Sequence, residues 1–176
     1  MSGSRQPPPD PLDLAARLLA VARTRADLVR RLVARGVDPA RAEAVAEECR
    51  RRGWLDDAQY ARDWLERELG RRPSGRRRLR AALLERGVPP EVADRAVAEA
   101  LSAHPEEALA RSAAAQWRRA RAGSRAGGRK ASPASEVRGL AAFLDRRGFE
   151  ADVVWRVLEE SGGAGASPRV GCRRFP

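Results

Sequence analysis

The sequence is poor in the residue types that most often carry catalysis or hold metals. It contains one histidine, His104, and two cysteines, Cys49 and Cys172, in 176 residues. These three residues predict neither a zinc site nor a disulfide framework, and His104 is expected to be a surface or capping residue. The glycine spacing at residues 70–77 is that of a phosphate-binding loop, but the required Lys and Ser/Thr are missing. We therefore expect a non-enzymatic protein without a cofactor or metal.

Long apolar runs and aromatic side chains are also scarce. No apolar run reaches 18 residues, and the N-terminal segment lacks the apolar region of a signal peptide, so we expect a soluble, cytoplasmic protein that makes no use of a membrane. Aromatic residues make up 5% of the chain, whereas 43% is hydrophobic, mostly Ala, Leu and Val. Such a composition favours several small helix-on-helix cores over one large core.

One local pattern occurs three times, around Gly36, Gly87 and Gly148. In each copy a leucine lies eight residues and another lies four residues before the glycine, an arginine precedes it and an apolar residue follows. The leucines share one helix face, a cation is favoured in the last helical turn, and glycine readily takes the left-handed conformation that ends a helix. The pattern predicts a helix, a glycine stop and a second helix in each copy. Its members are Leu28, Leu32, Arg35 and Val37; Leu79, Leu83, Arg86 and Val88; and Leu140, Leu144, Arg147 and Phe149.

A further helix is predicted before each copy of the pattern. The first spans about residues 12–23, with Val21 on its apolar face, and the third about residues 105–122. The second begins at Asp56, the predicted N-cap, with Gln59 three residues later as a variant capping box. Capping explains the acidic pair Asp56-Asp57 better than a metal or acid–base pair does.

Three helices per copy predict an all-α fold of three tandem three-helix modules. Single units of this size bury little surface, so we expect them to stack as solenoid repeats do. The modules are assigned to residues 11–53, 54–102 and 103–160, with a flexible basic loop at 122–134 inside the third. Residues 1–10 and 161–176 are expected to be disordered.

Positive charge is both large and segregated along the chain. The net charge is +11, with seven Arg and one Glu in residues 70–86, and six Arg, one Lys and no acid in residues 111–130. Between them, residues 91–107 contain five acids and one Arg. A GC-rich coding sequence would account for Arg over Lys, but not for the net charge. Two separate basic stretches favour a polyanion or an acidic protein groove as partner over a merely solvated face.

The central phrase Gly53-Trp54-Leu55-Asp56-Asp57, followed by Tyr60-Ala61, resembles the RecX family, bacterial regulatory proteins that act on the recombinase RecA. The resemblance covers about residues 12–160. Two positions depart from the family pattern. Arg76 follows Gly75 where the family often has a proline, and Ala82 precedes Leu83 where it often has an acidic residue. The matches that extend the resemblance are Arg71-Arg72, Gly75, Arg78-Leu79-Arg80, Leu83, Arg86-Gly87-Val88 and Gly148-Phe149.

The resemblance implies modules in an elongated, curved right-handed or solenoid-like arrangement. It also implies binding to the RecA–single-stranded DNA filament, with inhibition of RecA recombinase, ATPase and co-protease activity and modulation of DNA repair and the SOS response. We expect a monomer. The alternative is an independent, sequence-nonspecific DNA-binding protein, and weak direct DNA binding is compatible with both.

The candidate partner-binding residues are arginines that lie at a helix start or on the third module. Helix N-terminal N–H groups and guanidinium groups both suit phosphate or carboxylate recognition. The main set is Arg71, Arg72, Arg76, Arg77, Arg78 and Arg80. The second set is Arg118, Arg119 and Arg121, extended by Arg125 and Lys130.

Overall fold

The structure is a computed structural model that describes residues 10–21, 23–124 and 132–160. Within these ranges it contains nine α-helices and no strand, so the predicted all-α class is confirmed. None of these helices is long and apolar enough to cross a membrane. The helices are α1 Pro11–Leu18, α2 Arg25–Val33, α3 Pro39–Arg51, α4 Asp57–Arg71, α5 Arg76–Glu85, α6 Pro90–Ala103, α7 Glu106–Ser124, α8 Pro133–Arg146 and α9 Ala151–Glu160.

The three repeated glycines end helices α2, α5 and α8 as predicted. Gly36, Gly87 and Gly148 have φ angles of 86°, 81° and 78°, in the left-handed region that favours glycine. In each copy the N–H of the following apolar residue donates to the carbonyl of the second leucine, five residues back, at 3.1 to 3.3 Å. This is the hydrogen-bond pattern of a glycine-capped helix end. A fourth such glycine, Gly53, ends α3 and was not predicted.

The predicted N-cap of α4 is confirmed, but its capping box is incomplete. The Asp56 carboxylate accepts hydrogen bonds from the N–H groups of Ala58 and Gln59, both at 2.9 Å. The side-chain amide of Gln59 donates to Asp63 at 2.7 Å rather than returning to Asp56. The expected reciprocal bond is therefore replaced by a contact one helical turn further on.

The chain divides into two compact units, and the first contains residues 10–71 and 79–103 of the described chain. Helices α1, α2 and α3 share a buried cluster that includes Leu28, Leu32 and Cys49, while α4 packs against α6. Thr24 joins α2 to the end of α5, because its buried hydroxyl donates to the Arg86 carbonyl at 2.8 Å and accepts from the Asp27 N–H at 3.2 Å.

The second unit contains residues 72–78 and 104–160 of the described chain. Its core lies among α7, α8 and α9 and is built mainly from alanine, leucine and valine around one large aromatic ring, Phe149, which is 1% exposed. Phe149 directly follows Gly148, the third repeated glycine. The third copy of the pattern thus places its apolar residue at the centre of the unit.

Several predicted boundaries differ from the structure or fall outside its described residues. Helix α1 ends at Leu18, and Val21 follows in a turn and is 53% exposed, so its predicted place on the apolar face is wrong. Helix α7 extends to Ser124 and α8 begins at Pro133, so both ends of the predicted 122–134 loop are helical. Residues 1–9, 125–131 and 161–176 lie outside the described residues, and the division into three stacked modules stays a prediction.

Candidate partner-binding surface

The short segment 72–78 carries most of the main candidate set, and it packs against the α8–α9 turn of its own unit. The Gly75 N–H donates to the Arg147 carbonyl at 2.9 Å, and the Arg77 N–H donates to the Gly148 carbonyl at 3.1 Å. The Arg147 guanidinium returns a hydrogen bond to the Pro73 carbonyl at 3.0 Å. These paired bonds fix the backbone of the segment on both sides of Gly75.

Two glycines allow this close approach of backbone to backbone. A Cβ atom placed on Gly75 would lie 2.3 Å from the Gly148 carbonyl oxygen, and one placed on Gly148 would lie 2.4 Å from the Arg78 nitrogen. Real Cβ atoms do not occur at such distances. Any side chain at either position would therefore push the 72–78 segment away from the turn.

The Arg77 side chain is bonded within its own unit. Its guanidinium forms an ion pair with the Asp145 carboxylate. It also donates to two carbonyl oxygens, that of Asp145 at 3.3 Å and that of Phe149 at 3.2 Å. Every bond of this guanidinium to the described chain thus goes to the end of α8 or to the α8–α9 turn.

The N–H groups at the start of α5 are also used within the unit. The Arg76 N–H donates to the Glu106 carboxylate at 2.9 Å, and the Arg77 N–H is taken by the Gly148 carbonyl. The carboxylate of Glu106 occupies the place where an external anion would bind a helix N-terminus. Partner recognition through these two N–H groups, which the sequence suggested, is therefore not available in this structure.

Arg76 and Arg78 are exposed, as Arg77 is, but unlike Arg77 their side chains make no hydrogen bond or ion pair with the described residues. Arg72 is exposed as well, and so is Arg71 at the end of α4 in the first unit. Of the main candidate set within the 72–78 segment, Arg76 and Arg78 are the side chains that the described chain leaves available for a partner.

Arg80 belongs to the first unit, and its side chain forms an ion pair within that unit. Its guanidinium bonds the Asp94 carboxylate of α6 at 2.5 and 3.3 Å. The hydrogen bond to Asp94 raises the pKa of Arg80 above its usual value. This bidentate pair makes Arg80 a link between α5 and α6, so its positive charge is largely balanced within the chain.

The second candidate set lies on the C-terminal half of α7. Arg118, Arg119 and Arg121 are all exposed, and Arg119 makes no side-chain hydrogen bond or ion pair in the described ranges. The Arg121 guanidinium lies 4.9 Å from the centre of the Trp117 ring, a cation–π distance. Arg125 and Lys130 lie outside the described residues.

Aromatic contacts join this face of α7 to the 72–78 segment within the second unit. Trp117 faces Phe143 of α8 with ring centres 6.5 Å apart. The Arg147 guanidinium lies 5.0 Å from the Phe143 ring while it bonds the Pro73 carbonyl. The repeated arginine of the third copy is therefore held by an aromatic ring and a carbonyl together.

Two further features, one in each unit, were missed by sequence reasoning. Arg146 is exposed, adjoins Asp145 and makes no side-chain bond within the described chain, and its place in the last turn of α8 was the available signal. Asp57, read only as part of a cap, accepts a hydrogen bond from the Arg25 N–H at 2.9 Å at the start of α2. Burial raises the pKa of the Asp57 carboxyl.

Catalytic groups are not assembled in the parts of the chain that the structure covers. No group of three or more His, Cys, Asp or Glu residues there could hold a metal ion. His104 is exposed, as expected. Cys49 is buried in the first unit, and burial raises the pKa of its thiol, which disfavours the reactive thiolate.

Comparison with known proteins agrees with the resemblance of the central phrase. The family model for the second three-helix domain of RecX matches residues 56–97. A regulatory protein RecX of Thermus thermophilus is 39% identical over 155 residues, which cover 86% of this chain and 94% of the relative. The chain belongs to the RecX family.

Further relatives and solved structures extend the similarity over most of the chain. Regulatory protein RecX of Leptothrix cholodnii is 36% identical over 144 residues, covering 80% of this chain and 82% of the relative. The crystal structure of RecX from Lactobacillus salivarius aligns with a TM-score of 0.68 at 14% identity, covering 85% of this chain and 93% of that one. A second crystal structure of regulatory protein RecX has a TM-score of 0.67 at 18% identity, with 85% and 70% coverage. At these identities the two structures show that the RecX fold is shared.

Proposed function

We propose that this chain is a non-enzymatic regulator of RecA that binds the RecA filament on single-stranded DNA. Binding inhibits the recombinase, ATPase and co-protease activities of RecA and so modulates DNA repair and the SOS response. The observation that carries the proposal is membership of the RecX family, with 39% identity to a named regulatory protein across 86% of the chain. The protein acts in the cytoplasm as a monomer.

The charge distribution supports a filament as the partner. Arg76 and Arg78 in the second unit, and Arg71 in the first, are exposed cations without side-chain partners among the described residues. A filament presents the same surface at each subunit. Several weak contacts to such a repeating surface add up to strong binding without any new chemistry.

The test is an ATPase titration of RecA on single-stranded DNA. We expect inhibition at concentrations of this protein well below that of RecA, because one molecule contacts a filament that contains many subunits. Absence of inhibition at every ratio would contradict the proposal. Since RecA depends on DNA for ATP hydrolysis, the titration is repeated at saturating DNA to exclude simple competition for the strand.

Independent DNA binding is the second candidate, favoured by the exposed arginines of α7. It predicts tight binding to DNA without RecA and a steep loss of affinity with salt, because each phosphate contact releases bound counterions. Fluorescence anisotropy with a labelled oligonucleotide at several salt concentrations measures both quantities. Weak binding that salt does not change would exclude this candidate.

A further inference from the structure

We propose that Asp145 is a positioning residue, which holds Arg77 so that Arg76 and Arg78 face the partner. The inference rests on the proposed function, since it concerns which arginines contact the filament. Asp145 is an acidic residue next to a basic surface, so charge alone would make it unfavourable for binding an acidic partner. Its contact with Arg77 gives it a different role.

The geometry of helix α5 relates the position of Arg77 to the directions of the Arg76 and Arg78 side chains. Successive residues of a helix project about 100° apart, so Arg76 and Arg78 point to either side of Arg77. Arg77 is held by the Asp145 carboxylate and by the carbonyls of Asp145 and Phe149. The first turn of α5 is bonded to the end of α8 and the α8–α9 turn through this residue, and Arg76 and Arg78 on either side of it are exposed.

The Asp145 carboxylate is expected to contribute little to folding stability. Asp145 lies in the last turn of α8, where the helix dipole disfavours a negative charge. The side chains of Arg77 and Asp145 are 50% and 68% exposed, and exposed ion pairs contribute little to folding. The pair adds a side-chain link between the 72–78 segment and the end of α8 to the backbone bonds of Gly75 and Arg77.

The test compares Asp145→Asn with Asp152→Asn in the RecA–DNA ATPase titration. Both substitutions remove one negative charge from the second unit, but Asp152 pairs with Arg156 of its own helix and does not contact the 72–78 segment. We expect Asp145→Asn to raise the concentration for half-inhibition roughly two- to fivefold, as expected for loss of an exposed pair. Asp152→Asn should leave it unchanged or lower it slightly, and Asp145→Glu should recover part of the loss.

The positioning role and a simple charge effect predict opposite changes in the half-inhibition concentration of Asp145→Asn. If Asp145 acts only as a negative charge near the surface, its removal strengthens binding to an acidic partner and lowers the half-inhibition concentration. Equal or stronger inhibition by Asp145→Asn would therefore overturn the positioning role while leaving the proposed function intact. No inhibition by the wild-type protein would overturn the proposed function, and the inference with it.

Amide hydrogen exchange separates positioning from loss of the fold. The N–H groups of Gly75 and Arg77 donate to the α8–α9 turn, so Asp145→Asn should speed their exchange while core amides of α8 stay protected. Faster exchange at these two amides with unchanged inhibition would mean that the contact serves the structure only, and would contradict the proposal.

Discussion

Gly75 and Gly148 lie back to back in the second unit, so that a Cβ on Gly75 would stand 2.3 Å from the Gly148 carbonyl oxygen. The two residues are far apart in sequence, since Gly75 precedes the second copy of the repeated pattern and Gly148 belongs to the third. Their contact brings the 72–78 segment, which carries Arg76 and Arg78, against the turn that the third glycine stop creates. Gly148 therefore ends helix α8 and also allows the 72–78 segment to pack closely against it.

Replacing Gly148 should lower the free energy of unfolding more than replacing Gly36, which has the same left-handed backbone conformation. Gly148→Ala and Gly36→Ala both place a side chain in the left-handed region, which costs about 1–2 kcal/mol. Only Gly148 also meets atoms of Arg78, at 2.4 to 2.9 Å, whereas a Cβ on Gly36 meets nothing within 4 Å. We expect Gly148→Ala to lose a further ~1–3 kcal/mol, the usual range for overpacking.

Urea unfolding of both variants measures this difference in free energy. Gly70→Ala serves as the control, because Gly70 lies in α4 and a Cβ there meets nothing within 4 Å, so the helix should gain about 0.5–1 kcal/mol. Equal losses for Gly148→Ala and Gly36→Ala would show that the close approach to Arg78 is not important for stability.

Thr24 should be the most costly helix cap to remove among the Ser and Thr caps of the described chain. Thr24→Val keeps the branched shape but leaves the Arg86 carbonyl and the Asp27 N–H without their partner in a site where Thr24 is 1% exposed. Unsatisfied buried groups cost about 1–3 kcal/mol.

The matched control for Thr24 is Ser132→Ala, since Ser132 caps α8 but is exposed. Removing such a cap costs about 0.5–1 kcal/mol. Thermal unfolding of the two variants gives the comparison. If Ser132→Ala proves the more damaging, the link between α2 and the end of α5 contributes less than the hydrogen bonds suggest.

Asp57 should make folding stability depend on pH in an unusual direction for a carboxyl group. Burial raises its pKa in the folded state, so the folded protein keeps this proton to a higher pH than the unfolded chain does. Its contribution is therefore most favourable below the unfolded pKa of about 3.9 and is lost as pH rises through the folded pKa.

Asp57→Asn isolates this effect, because the amide oxygen can still accept the Arg25 N–H. We expect the stability of the variant relative to wild type to increase from pH 3 to pH 7. Denaturant unfolding at several pH values, with both proteins measured side by side, provides the difference. A difference that stays constant with pH would show that burial does not disfavour the ionised form of Asp57.

The local parts of this fold were predictable from the sequence, whereas contacts between distant residues were not. The glycine stops at Gly36, Gly87 and Gly148 follow from patterns within ten residues. The Arg77–Asp145 pair joins positions 68 residues apart and leaves no mark on local periodicity. For that reason the sequence identified an arginine cluster but could not separate Arg77 and Arg80, which are paired within the chain, from Arg76 and Arg78.

We expect DNA binding through α7 to depend on Arg119. This side chain is exposed and unpaired within the described ranges, so Arg119→Gln should weaken binding to single-stranded DNA and lower the salt slope by about 0.7, the value for one lost phosphate contact. Arg41→Gln, an exposed arginine on α3, is the control. Anisotropy titrations at several salt concentrations measure the slope, and an unchanged slope would place the contact elsewhere.

The most direct test of the account is inhibition of the RecA–DNA ATPase by Arg76→Gln/Arg78→Gln, compared with Arg41→Gln/Arg95→Gln. Both double variants remove two exposed arginines that make no side-chain bond within the described chain. We expect the first to need at least about tenfold more protein for half-inhibition, since two charged contacts of more than 1 kcal/mol each are lost. The second should match wild type. Equal potency of the two variants would contradict the assignment of Arg76 and Arg78 as the main contact.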